Sequence, residues 1–327
     1  MGPRISLRKQ LHADALFRRI HSAFEHITDH RPGALLISLA DALMSAFAMF
    51  SLKDPSLLAF DKRRKDPSKV KNLKTLFHLK TVPCDTQMRE IADPVDPNTL
   101  SPIYRDIFRQ LQRGKCLERF VVLDGYYLIS VDGTQYFSSK HIHCSSCLTS
   151  TNSATGEVTY SHQMLAAALV HPDLSEVIPV FPEPIEKQDG ETRNDCERNA
   201  AKRFVEQFRH AHPHLNVIII EDGLHSNAPH IRTLQAHHLH FIIGVKAGDH
   251  EWLFARLEEA VTAGTATEFT QSEGTVTHRC RFLNAVALNE SNQDLLVNVL
   301  EYWEIQANGT TQHFAWVTDI LITRDNA

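Results

Sequence analysis

Apolar positions recur with two different periods along this chain, and the change falls near residue 120. Before it the spacing is helical. Ile5, Leu11, Leu16, Phe17, Ile20 and Phe24 return every three or four residues and predict an amphipathic helix over 3–30. Pro32 and Gly33 end it. The almost wholly apolar stretch 34–52 predicts a buried helix, and 68–79 a shorter one. Asp85 or Thr86 is the expected cap of a helix over 87–92. A second cap around 97–99 opens a helix over 100–114, with Ile103, Ile107, Phe108 and Leu111 on one face. These last two helices have the look of a helix-turn-helix, with plain helical packing as the alternative.

After residue 120 the period shortens. Short strands are expected at 120–123, 127–132 and 135–137, separated by turns at Asp124-Gly125 and Asp132-Gly133. A strand over 158–170 follows, then a proline-rich connection over 172–184. A helix over 192–210, capped by Thr192 or Asn194, turns Ala200, Ala201, Phe204, Val205 and Phe208 inward. Strand 216–222, a helix from Asn227 to about 236, strand 241–245 and a helix over 249–261 come next. Strand alternating with helix implies parallel pairing through crossovers. From 268 to 318 the pattern is that of an antiparallel meander, and 321–327 has no terminating element of its own. The expected organisation is a helical region over 1–118 and an α/β core over 119–327.

Charge refines this picture. The chain carries 34 Lys+Arg and 39 Asp+Glu, a net −5 that argues against a wholly basic nucleic-acid binder. Residues 1–120 hold 21 basic and 13 acidic residues, and 121–327 hold 13 and 26. A basic front half before an acidic back half suits a DNA-contacting arm joined to a metal-binding core, although chance clustering gives the same count. The run Lys62-Arg63-Arg64-Lys65, expected in a loop, is either a phosphate contact or a solvated charge run. Six cysteines in 327 residues make no disulfide scaffold. The basic N-terminus lacks a following apolar signal core. Stretch 34–50 is short for a membrane span and has Asp41 at its centre. The expectation is therefore a cytoplasmic protein with no membrane partner.

The candidate chemistry centres on two acids. Apolar residues lead up to Asp132 in Ser130-Val-Asp-Gly-Thr, and again, 90 positions on, to Asp222 in Ile220-Glu-Asp-Gly. Carboxylates presented by neighbouring strands make a site for a hard cation such as Mg²⁺ or Mn²⁺. Phosphodiester chemistry uses such cations both to make a nucleophile and to stabilise the transition state. The alternative is that each Asp merely caps a strand beside a glycine turn. A second constellation is His143-Cys144-Ser-Ser-Cys147 with His162, whose Cys-x-x-Cys spacing suits a structural Zn²⁺, a pair of reduced thiols or a redox pair. A third is basic: Arg193, Arg198, Lys202 and Arg203 on one helix, and Lys246 after the strand 241–245. They are candidates for DNA phosphate contacts, with solvated surface as the alternative.

Six stretches, taken in order, carry a family resemblance: Ile37-Ser-Leu-Ala-Asp-Ala-Leu-Met, Pro83-Cys-Asp-Thr, Ser130-Val-Asp-Gly-Thr, Asn194-Asp-Cys-Glu-Arg-Asn-Ala, Ile220-Glu-Asp-Gly-Leu and Trp316-Val-Thr-Asp. Through them the chain resembles bacterial insertion-sequence transposases of the DDE type over nearly its whole length. The resemblance implies a ribonuclease-H-like mixed sheet with flanking helices. That core would follow an all-helical N-terminal region and carry an antiparallel β meander near the C-terminus. It implies that Asp132 and Asp222 are the first two catalytic, Mg²⁺-binding acids. It also implies cleavage of double-stranded DNA at element ends, transfer of the 3′-hydroxyl to target DNA, a homodimer on DNA and a nucleoid-associated location. One departure stands out. Such enzymes carry a third acid, a Glu, on a helix after the meander, in a motif with Tyr, Arg and Lys. Glu301 and Glu304 lack that spacing, and Asp319 and Asp325 lie at the end. The expectation is that the third acid lies beyond Ala327 and that this chain alone is nearly inactive. A non-catalytic DNA-binding remnant that regulates transposition, or a metal nuclease without a transposition role, are the other readings.

Overall fold

The computed structural model describes residues 10–189, 193, 194 and 196–327, excluding the side chains of Asp124, Gln188, Asp189, Arg193 and Asn194. The chain is mixed α/β, and its contacts divide it into two compact units, Met1–Arg119 and Phe120–Ala327.

The first unit is helical: α1 (Ala13–Glu25), α2 (Leu39–Ser51), α3 (Leu57–Arg64), α4 (Pro67–Leu76), α5 (Asp85–Ala92) and α6 (Ser101–Arg113). Helix α2 is its centre. Ser38 caps it by accepting from the Asp41 backbone N–H, and Ala42, Met44 and Ala48 on it are fully buried. Asp41, expected as a lone charge in an apolar helix, accepts the backbone N–H groups of Lys80 and Thr81 at 3.0 and 3.1 Å. Two charge-assisted hydrogen bonds explain why a carboxylate is tolerated there. Phe17 stacks on Phe77 and meets Phe47 edge-on, which ties α1 to α2 and to the end of α4.

Two expectations fail in this unit. The basic run 62–65 is the last turn of α3 and its cap, not a loop. Arg63 pairs with Asp54 at 2.7 Å, and Arg64 and Lys65 both pair with Asp61, so local acids and the helix C-terminus account for these charges. Helices α5 and α6 do not form a helix-turn-helix. The principal neighbours of α5 are α2 and α3, and that of α6 is α1.

The second unit is built on one large sheet. Its strands are β1 (Val121–Val122), β2 (Tyr126–Ser139), β3 (Leu148–Thr151), β4 (Val158–Val170), β5 (Ile178–Pro179), β6 (Glu183–Ile185), β9 (Val217–Glu221), β10 (His240–Gly244), β11 (Thr267–Glu273), β12 (Val276–Ala287), β13 (Leu296–Ile305) and β14 (Thr311–Thr318). A separate ribbon pairs β7 (Lys187–Asp189) with β8 (Arg193–Asn194). The main order is β11-β12-β13-β14-β10-β9-β2-β4-β3. Only β2·β9 and β9·β10 are parallel. Their crossovers are helices α7 (Glu197–Ala211) and α8 (Ala228–Ala236), while α9 (Glu251–Thr262) packs on β12. Val217, Ile218, Ile219, Phe241 and Ile243 are all buried, the unbroken apolar run of strands covered on both faces.

The most instructive difference from expectation is β2. It runs unbroken through Asp132 and Gly133 for 14 residues, because β4 pairs with it from Leu128 to Ser139. Gly133 is not a turn. The proline-rich connection contains β5 and β6, both paired to β4. Helix α7 starts at Glu197 with Cys196 as its N-cap; of the expected caps, Thr192 lies outside the described residues. The segment after β14 is docked, with Asn284 exchanging hydrogen bonds with both backbone groups of the buried Ile322.

Candidate functional site

Register brings the two acids together. Ser130 of β2 pairs in parallel with Ile220 of β9, and two residues further along each strand stand Asp132 and Asp222. Side chains two apart in a strand share a face, and adjacent strands lie about 4.8 Å apart. Asp132 leaves the β9 pairing while still held by Ala166 of β4. Asp222 ends β9 and turns the chain by accepting the Leu224 backbone N–H at 3.0 Å. Both carboxylates are exposed.

A third carboxylate joins them. Glu197, the first residue of α7, is half-buried against β2 and accepts the Gly133 backbone N–H. A Cβ on Gly133 would overlap the end of the Glu197 side chain and push its carboxylate aside, so the glycine here allows a close approach rather than a bend. Burial raises the Glu197 pKa above its ordinary value, and the neighbouring charges of Asp222 and Asp132 raise it further. Glu197 therefore senses both strand acids at once.

His225 closes the group. Its ring is fully buried. Nδ1 lies 3.5 Å from Asp222 and Nε2 3.9 Å from Glu197, and neither nitrogen has a hydrogen-bond partner among the described residues. Behind it the His230 ring packs at 5.0 Å, tilted by 50°, and bonds the buried Glu221 at 2.6 Å, which fixes the ring's back wall. Glu197, Asp222 and His225 offer ligand atoms within 4.8 Å of one another, and Asp132 stands outside that group but near enough for its charge to act on Glu197. Carboxylates beside two buried, unpaired nitrogens fit a divalent cation. The oxygens are the hard donors that Mg²⁺ and Mn²⁺ take. Imidazole is a softer donor, so His225 is better placed to orient Asp222 and Glu197 than to lead the coordination.

Asp222 also opens onto a cleft of about 760 Å³ whose walls include Arg198, Lys246, His250 and Trp252. Lys246 is exposed and makes no ion pair among the described residues; Arg198 donates Nε–H to the Leu224 carbonyl at 3.3 Å. Of the other expected phosphate contacts, Lys202 is an exposed residue of α7, and the side chain of Arg193 lies outside the described residues. Arg203 is a correction. Its Nε–H donates to the buried Glu183 at 2.5 Å and a terminal NH₂ donates to the Pro184 carbonyl, which turns it inward onto β6.

Cys144, Cys147 and His162 also converge, but His143 does not join them, because its ring stacks on Tyr160 at 4.3 Å. The acids considered for a third position lie elsewhere. Glu301 is buried between Arg281 and His313, and Asp319 bonds His240 at the opposite end of β10. Glu197 escaped notice because an acid in a first helical turn looks like an ordinary helix-dipole partner. The stretch Asn194–Ala200 was visible as a likeness without a role. His225 had no signal at all beyond its distance of three residues from Asp222.

No protein-family model matches the chain, and a search of curated proteins finds no match.

Proposed function

We propose that the second unit is a ribonuclease-H-like core that cleaves and joins DNA phosphodiesters with a divalent cation, as a transposase of the DDE kind does. The meeting of Glu197 with Asp132 and Asp222 carries this reading. Supporting it is the sheet, in which β2 stands between an antiparallel neighbour on one side and a parallel neighbour reached through a helix on the other. Asp132, Glu197 and Asp222 would hold Mg²⁺ or Mn²⁺. A cation there supplies charge against the developing phosphorane and acidifies the attacking water or 3′-hydroxyl.

The chain's own groups do the rest. His225, lying between them, would hold Asp222 and Glu197 at a fixed separation. Lys246 and Arg198 supply positive charge on the cleft wall where a phosphodiester would lie. Glu197 would thus take the place of the third acid that the resemblance puts on a helix after the meander.

The test uses the purified 327-residue chain with supercoiled plasmid and Mn²⁺ or Mg²⁺. Nicking, together with Mn²⁺ binding by calorimetry, is expected, and Asp222→Asn should abolish both. Joined products with a labelled oligonucleotide distinguish a transposase from a nuclease. DNA retardation with no nicking at any divalent cation would favour the non-catalytic binder. Absence of Mn²⁺ binding in the wild type would end the proposal.

A further inference from the structure

We infer that Cys144, Cys147 and His162 bind one zinc ion, separate from the acid cluster, and that this ion locks the far end of the β2–β4 ribbon. The distances are those of a tetrahedral site. Zinc bonded to sulfur at about 2.3 Å and to nitrogen at about 2.05 Å places two sulfurs about 3.7 Å apart and sulfur about 3.5 Å from nitrogen. Here Cys144 Sγ and Cys147 Sγ lie 3.7 Å apart, and they lie 3.3 and 3.4 Å from His162 Nε2.

The surrounding chain is shaped to hold them. The Cys144 backbone N–H donates to Cys147 Sγ at 3.3 Å, which fixes the direction of that sulfur. A bulge in β2 between Gln135 and Phe137 lays the Tyr136 ring over His162, 6.0 Å between centroids and near parallel, and Phe137 approaches from a second side. Together they fix the imidazole's plane. No helix follows Cys147; β3 starts at the next residue. The helix N-terminus that acidifies a redox Cys-x-x-Cys pair is therefore missing. Both cysteines lie in the excursion between β2 and β3 and His162 lies on β4, so a zinc ion pins that excursion onto β4. With His143 turned away onto Tyr160, the protein supplies three donors and water completes the fourth position.

This site does not depend on the proposed activity, since its donors are soft and the acid cluster's are hard. The experiment measures metal content of the full chain, purified without chelator, by mass spectrometry. One zinc per chain is expected. It should persist in His143→Ala and in Glu197→Gln and fall to background in Cys147→Ser and His162→Ala. Should those two variants fail to fold, wild-type protein reconstituted with Co²⁺ decides. It should show thiolate-to-cobalt charge transfer and the intense visible bands of four-coordination. Folded wild type without zinc, zinc unchanged in His162→Ala, cobalt spectra of six-coordination or a Cys144–Cys147 disulfide in reduced preparations would each overturn the inference.

Discussion

Two clusters of candidate ligands flank the paired strands β2 and β4, and they are assembled in opposite ways. The cysteine–histidine group draws on 19 residues, 144–162, and its spacing announces itself. The acid group takes Glu197 from the start of α7, Asp222 from the end of β9 and His225 from the turn after it, with Asp132 of β2 acting on Glu197 through its charge. The first is a local device that needs only a hairpin. The second exists only once the parallel register of β2 and β9 and the entry angle of α7 are set. A cluster of the second kind is where a fold does something its segments cannot.

Independence of the two is the strongest claim in this contrast and the easiest to break. Asp222→Asn should lower Mn²⁺ affinity and plasmid nicking by at least about 100-fold while leaving zinc content intact. His162→Ala should do the reverse. It should lose zinc and about 3 kcal/mol of stability by linkage, with Mn²⁺ affinity preserved. Calorimetry and metal analysis on both variants suffice. Joint loss of both metals from either substitution would show one cooperative site.

Helix α7 sharpens the acid side of the comparison, because its arginines divide between scaffold and cleft. Arg203→Ala removes the cation paired with the buried Glu183, leaving it the neutral Gln207 donor, and should cost about 3 kcal/mol, read as a fall in the denaturation midpoint. Arg198→Ala or Lys246→Ala should leave that midpoint unchanged. Each should instead weaken DNA binding across sequences and reduce the slope of log affinity against log salt by about one. A smaller effect is expected at Gly133. Gly133→Ala pushes a methyl group against the Glu197 carboxylate, which can swing aside, so the effect falls on the site and not on the fold. Mn²⁺ affinity should fall about tenfold and zinc stay bound.

How much of this could be read beforehand follows the same division. The alternation of strand and helix after residue 120 carried the mixed sheet, and the two Asp-Gly strand ends carried half of the acid cluster. Asp132-Gly133 was misread for a physical reason. A glycine after an acid is usually a turn, and only the position of α7 shows that what matters here is the absent Cβ. Glu197 and His225 are ordinary residues of their local types. Only the likeness around Asn194–Ala200 and the three-residue step from Asp222 to His225 lie near them, and neither assigns a role. Arg203 and the run 62–65 looked like nucleic-acid contacts because charge is visible in sequence while its partner is not. Asp54, Asp61 and Glu183 become those partners only through packing.

The subtlest expected effect concerns the Glu197 carboxyl itself. Burial and the charges of Asp222 and Asp132 hold its folded pKa above the ordinary 4.5. The folded state therefore keeps this proton more tightly than the unfolded chain. Its contribution to stability is fully present below pH about 4.5 and is lost as pH rises through the folded value, so at neutral pH the metal-free site is a liability. Glu197→Gln removes the repelling charge and retains an oxygen for the Gly133 N–H. In chelator at neutral pH it should raise the midpoint by roughly 2–4 °C, the size that about 1 kcal/mol makes in a domain of this length. The gain should vanish as the pH is lowered through the same range. Added Mn²⁺ should reverse the order, stabilising the wild type and not the variant. A variant less stable than wild type in chelator at neutral pH would mean that Glu197 is held by favourable contacts and not strained toward a cation. The acid cluster would then be scaffold, like Glu183.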